Sequence, residues 1–136
     1  MKNTILGIAI LATATLFAQN HKIEVEIKGF KNDKGSAMIG LYNTEESFMR
    51  TGIKSAKTIV KNKKTYALFT NVPAGTYAIS MFHDENANGK IDRNFIGIPK
   101  EGYGTSNDAR GFMGPPKYGD AKFELAGDKK LVINIQ

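Results

Sequence analysis

Apolar and polar residues alternate along most of this chain, with the period of a strand rather than a helix. Ile23, Val25 and Ile27 alternate with Glu24, Glu26 and Lys28, the pattern of a strand with one buried face. Asn32-Asp33-Lys34-Gly35 reads as a turn, and Ala37, Ile39 and Leu41 then resume the alternation as a hairpin partner. Thr44 to Thr51 has room for one helical turn, capped by Thr44 or Asn43, with Phe48 packing inward. Thr58-Ile59-Val60 and Thr65 to Phe69 flank Asn62-Lys63 as a second hairpin. Val72-Pro73-Ala74-Gly75 turns the chain into a strand from Thr76 to Phe82. Two last strands, Ala121 to Leu125 and Leu131 to Ile135, are joined by Ala126-Gly127-Asp128.

These short strands, seven in all, have turn signals at sandwich-like spacing and no long helix among them, which predicts an all-β, antiparallel β-sandwich. The expected core is Ile23, Val25, Ile27, Ile39, Leu41, Ile59, Leu68, Tyr77, Ile79, Met81, Phe123, Leu131, Ile133 and Ile135.

Between His83 and Gly119 the alternation stops. Outside the acidic comb described next, this stretch holds six of the chain's 14 Gly and three of its 4 Pro, so its backbone path is irregular. Phe95, Ile96, Ile98, Tyr103, Phe112, Met113 and Tyr118 argue for an ordered excursion rather than a disordered linker. These residues serve either as a lid packed on one end of the sandwich or as a ligand platform. A ligand site, if the chain has one, is expected here.

The excursion begins with His83-Asp84-Glu85-Asn86-Ala87-Asn88-Gly89-Lys90-Ile91-Asp92. Asp84, Asn86, Asn88 and Asp92 form an every-other-residue comb of short oxygen-bearing side chains, with Gly89 where the comb must bend. Calcium takes six to eight oxygens in a flexible shell, and a tight loop delivers them from positions 1, 3, 5, 7 and 9. Position 7 is the Lys90 carbonyl. The bidentate Glu usual at position 12 is absent, because Phe95 stands there, so a further carboxylate must come from Glu85, Glu101 or Asp108, with Glu101 the first choice. The expected metal set is Asp84, Asn86, Asn88, Lys90, Asp92 and Glu101, and the expected metal is calcium. The competing reading is an Asx-rich turn without metal.

Composition narrows the function. The chain has 136 residues, one domain's worth. Met1-Lys2-Asn3 followed by an apolar run from Ile5 to Phe17 reads as an export signal cleaved at Ala18-Gln19, leaving 19–136 as a single sandwich domain in the periplasm or outside the cell. The run falls short of the roughly 20 residues a spanning helix needs, so the mature form has no transmembrane segment. Cysteine is absent, so no disulfide stabilises an exported chain, and a bound cation would substitute. The net charge of +6 is spread over solvated strand faces and turns, which argues against nucleic acid and leaves anionic surfaces or polysaccharides as partners.

The comb, then Asn94-Phe95, Gly97-Ile98-Pro99-Lys100-Glu101-Gly102-Tyr103-Gly104, Ser106-Asn107 and Gly114-Pro115-Pro116, resembles the domain-of-unknown-function 2141 family over essentially the whole mature chain. The resemblance implies a small exported bacterial protein and leaves its activity open. The Pro73-Ala74-Gly75-Thr76-Tyr77 turn is similar to that of transthyretin-like and carboxypeptidase-regulatory-like sandwiches. The comb is similar to calcium loops in sandwich modules of bacterial surface proteins.

No catalytic set stands out. His83 and Asp84 point to opposite faces of a strand, and the only other His is His21, so a zinc site lacks ligands. Ser106 with His83 has no nucleophile elbow around it. Glu85, Glu101, Asp108 and Asp120 are too ordinary in a loop to mark a carboxylate pair. The hydroxyisourate hydrolases among the transthyretin-like proteins are the nearest catalytic analogy, but their tyrosine-ending C-terminus and His-rich site are missing. Two readings result. One is a noncatalytic, calcium-stabilised binding or accessory module for a ligand, protein or polysaccharide. The other is a hydrolase or isomerase using the acidic, aromatic 83–119 loop.

Overall fold

The computed structural model describes residues 19–90 and 101–136. The expected export signal at 1–18 lies outside the described residues, as do Asp92 and Phe95.

Among the described residues, eight strands form two sheets. The first sheet has the order β4-β1-β8, built from β4 (Lys64–Pro73), β1 (Asn20–Lys28) and β8 (Lys129–Asn134). The second has the order β3-β2-β5-β6, built from β3 (Lys54–Ile59), β2 (Ser36–Tyr42), β5 (Gly75–Asp84) and β6 (Tyr103–Thr105). β7 (Phe123–Leu125) pairs with the start of β5 at Gly75 to Tyr77, and β6 pairs farther along at Ser80 to Phe82.

The core lies between the sheets. Alternation puts Ile23, Val25 and Ile27 of β1 against Ala37, Ile39 and Leu41 of β2 and Tyr77, Ile79 and Met81 of β5, all in one buried cluster. Leu131 and Ile135 pack at its margin. Two expected members face water instead. Ile59 is 82% exposed and Leu68 is 54% exposed. In β4 the inward set is Thr65, Ala67 and Phe69, which puts Tyr66 and Leu68 on the outer face. The large Phe69 takes the interior place opposite Ile23 and sets the register for its neighbours. Ile59 ends β3 on the outer face beside Ser36, and Val60, the next residue, turns inward.

The turns follow their chemistry. Asn62 and Lys63 both have positive φ in a two-residue turn closed by the lone Lys61–Lys64 bridge, but β3 and β4 continue into different sheets, as do β1 and β2, so neither expected hairpin forms. Lys63 tolerates this because the Asp33 carboxylate accepts the Asn62 and Lys63 amides at 2.9 and 2.7 Å. The Ser47 amide donates to Thr44 Oγ1 at 3.1 Å, so Thr44 is the cap of the 44–51 turn. Phe48 is buried there in a second cluster with Ala78, Ala109 and Ala121.

Three features depart from the sequence pattern. β6 is a strand of three residues inside the Gly-rich segment, too short to leave an alternation. Residues Tyr118–Ala121 form a helical turn, α1, so the seventh strand starts only at Phe123. And β8 runs parallel to β1, with Ile23 beside Lys129 and Lys28 beside Asn134. The chain leaves β7 in one sheet, crosses at Ala126 to Asp128, and enters the other sheet where β1 begins. The Lys22 amide donates to Asp128 Oδ1 at 2.9 Å and fixes that entry.

Candidate functional site

The comb starts where β5 ends. Ser36 pairs with Asp84 across the β2–β5 ladder, so the first residue of the comb is still strand. Its side chain is 1% exposed. A buried carboxylate must be compensated, and the chain compensates it with its own backbone: Asn88 N donates to Oδ1 at 3.2 Å and Gly89 N to Oδ2 at 2.7 Å. Among the described residues no lysine or arginine forms an ion pair with it. The same pattern steps along the comb. The Asn88 amide also approaches Asn86 Oδ1 at 3.3 Å, and the Lys90 amide donates to Asn88 Oδ1 at 2.9 Å. The Asp84 and Asn86 oxygens therefore converge on one N–H, on the inside of a loop wound around Gly89 at φ 75°.

Glu101 comes back to the same place. It is buried, and its Oε2 accepts the Glu85 amide at 2.7 Å. Asp84, Asn86, Asn88, Lys90 and Glu101 are thus gathered at one end of the sandwich, and Asp92 lies outside the described residues. Among the described residues no three carboxylates or imidazoles gather closely enough to hold a metal by themselves. Any cation here relies on amide and backbone oxygens as well.

Asp108, an alternative sixth ligand from sequence, is elsewhere. Its two oxygens accept the Asn134 amide and the Asn134 side chain, each at 2.8 Å. The turn at 32–35 forms the wall beside the comb. Gly35 has φ 62°, and a Cβ there would stand 1.8 Å from the Asp84 carbonyl, so only glycine permits this approach.

His83 is 1% exposed and is fully engaged. Its Nε2 meets the Lys34 carbonyl, its ring stands edge-on to Phe30 at 4.9 Å, and Nδ1 lies 3.7 Å from Glu85 Oε1. Ser106 does not reach it. The Ser106 hydroxyl is buried, accepts the Ile79 amide at 2.9 Å, and donates to the Ala121 carbonyl. Asn107, at φ 60°, donates from Nδ2 to the Asp120 and Lys122 carbonyls at 3.1 and 2.9 Å. Ser106, Asn107 and Asp108 therefore form a staple. Each ties the segment to a different element: β5, the α1–β7 junction and β8. Sequence reasoning missed this role. Its signal was three consecutive small polar residues in an otherwise Gly-rich stretch, a composition that fits side-chain-to-backbone bonding.

The expected packing of the loop aromatics holds in part. Tyr103 joins the sheet and Tyr118 stacks edge-on against Phe48 at 5.7 Å. Phe112 and Met113 do not pack: both are 93% exposed, at the tip of Gly111 to Pro116. That tip is tightly wound, since a Cβ on Gly111 would stand 1.7 Å from the Gly114 carbonyl.

No helix among the described residues is long and apolar enough to cross a membrane. Comparison with curated proteins and with solved structures returned no match. Residues 25–134 match the family described as "uncharacterized protein conserved in bacteria" (DUF2141), and a match over that much of the sandwich means that the chain belongs to it.

Proposed function

We propose that this is an exported, noncatalytic β-sandwich module that binds a ligand or partner through its 101–119 segment and is stabilised by a calcium ion in the Asp84–Asp92 loop. The observation that carries the cation is the Asp84 carboxylate, buried and met only by backbone N–H groups among the described residues, at the head of a comb of oxygen-bearing side chains. A divalent cation would supply the missing opposite charge. Asn86, Asn88, the Lys90 carbonyl, Asp92 and Glu101 are the remaining ligands of this reading.

The noncatalytic part is supported by where the reactive side chains are spent. His83, Ser106 and Asp108 all bond backbone, and no buried side-chain nitrogen or oxygen among the described residues lacks a partner. A hydrolase using this loop needs such groups turned toward a substrate. The exposed Phe112 and Met113, framed by Gly and Pro, are what the segment offers to a partner.

Calorimetry on the mature chain tests the cation. Calcium at 100 times its Kd adds about 2.7 kcal/mol of stability, which raises the melting temperature by several degrees relative to excess chelator. Superimposed traces would sink the reading. Asp84→Ala is expected to remove the difference between the two traces.

A further inference from the structure

Cleavage at Ala18-Gln19 makes Gln19 the first residue, Asn20 the second and His21 the third. Four nitrogens then follow one another along a short stretch of chain: the Gln19 α-amine, the Asn20 and His21 amide nitrogens, and His21 Nδ1. Bound to one metal, they close two five-membered rings and one six-membered ring. A planar set of nitrogens suits copper(II) or nickel(II) and does not suit the oxygen-seeking calcium of the comb.

We propose that the mature amino-terminus, Gln19-Asn20-His21, is a binding site for copper(II) or nickel(II), formed when the leader is removed. It rests on the export reading for its free amine. Binding is a proton exchange with no change of oxidation state. The two amides and the protonated amine give their protons to solvent, and the metal takes their place.

The fold places a countercharge beside the site, with the His21 side chain half-buried against it. Gln19, Asn20 and His21 line a shallow concavity of about 490 Å³ together with Ala126, Gly127 and Asp128. His21 presents Nδ1, the nitrogen the chelate needs, 3.9 Å from Asp128 Oδ1. The Lys22 amide, donating at 2.9 Å, holds that carboxylate in place. The first rungs of β1 are also irregular. Asn20 faces Pro73, which has no N–H to donate, and an irregularity between His21 and Ile23 separates these residues from the regular ladder. Turning these amides to a metal gives up only the two rungs ahead of the register shift, Asn20–Pro73 and His21–Val72, and leaves the ladder from Ile23 onward in place.

Two measurements test this. The intact mass of the protein recovered from a bacterium expressing the full chain reads its first residue. A start other than Gln19 overturns the export-signal boundary. A start at Gln19 with the mass of one ammonia missing means that the residue has cyclised, which leaves the boundary standing and overturns the metal site. The second measurement titrates copper(II) into a chain that begins at Gln19 with a free amine, followed by visible ligand-field absorption. One metal per chain is expected, with affinity falling steeply as pH is lowered, because protons compete for the same nitrogens. His21→Ala, and separately one extra residue ahead of Gln19, should each abolish the band. Asp84→Ala should leave it intact. A free Gln19 amine with no one-to-one band overturns the proposal and leaves the export reading standing, and so does an unchanged band in His21→Ala.

Discussion

The β1–β2–β5 interior and the 101–122 segment are held by different forces. In the interior, alternating Ile, Val, Leu and Met residues are removed from water, and no single contact decides the outcome. In the segment, the positions that matter are polar: Ser106, Asn107 and Asp108 each fix one backbone stretch through one or two hydrogen bonds. Apolar burial is spread over area, so it tolerates some error of shape. A hydrogen-bonded staple is local, and at its buried member, Ser106, losing it leaves the Ile79 amide without a partner. The difference also explains why two large apolar residues of the segment, Phe112 and Met113, take no part in holding it.

Substitutions can separate the two regimes. The largest expected effect is Ile27→Ala, at a fully buried position, with a loss of about 2–5 kcal/mol. Urea unfolding should show a lower midpoint at unchanged slope. A loss below about 1 kcal/mol would mean that the interior closes around the gap. Next is Ser106→Ala, expected to cost about 1–3 kcal/mol because the buried Ile79 amide loses its acceptor. Faster hydrogen exchange at Ile79, without the same change at Val25, would mark it as local. Unchanged exchange at Ile79 would remove the staple from the account.

Tyr77→Phe is smaller, at about 0.5–1.5 kcal/mol, because it deletes the bond from the Tyr77 hydroxyl to the Pro73 carbonyl. It also has a pH signature. Burial pushes the Tyr77 hydroxyl above its ordinary value, so the folded state keeps this proton to higher pH than the unfolded chain. The resulting stability is fully present below the unfolded value near ~10. It is lost as pH rises through the higher folded value. The wild-type denaturation midpoint should therefore fall more steeply in alkali than that of Tyr77→Phe, and parallel curves would contradict this. The smallest effect is expected for Phe112→Ser, within about 0.5 kcal/mol. A larger loss would show that the tip packs after all.

The sequence makes the first of these regions readable and the second only partly so. β1 and β2 declare themselves because each keeps period two over several residues, while β5 buries both faces, Tyr77, Ile79 and Met81 on one and Ala78 on the other. β4 offered two plausible faces, Tyr66 with Leu68 or Ala67 with Phe69, and alternation alone does not say which one turns inward. Ile59 had the same ambiguity at a strand end. The comb was legible because Gly89 and its Asx neighbours carry both the turn and the oxygens. Its enclosure was not, since the burial of Asp84 depends on Gly35, about fifty residues earlier. Ser106 looked like a weak catalytic candidate because its partners, Ile79 and Ala121, are distant in sequence and are backbone groups.

The parallel pairing of β1 with β8 has a consequence for how the molecule forms. β1 is the middle strand of its sheet, and one of its two neighbours is the last strand of the chain. The Lys22–Asp128 bond that begins this pairing joins residues 106 positions apart. A chain growing from its amino-terminus can form the β1–β4 ladder early, but it cannot close the sheet until β8 is made. Loop closure over such a distance is slow, and until it happens the edge of β1 that faces β8 stays unpaired. The sheet therefore closes only once β8 has been added to the strands before it, and the six residues of β8 act as the clasp.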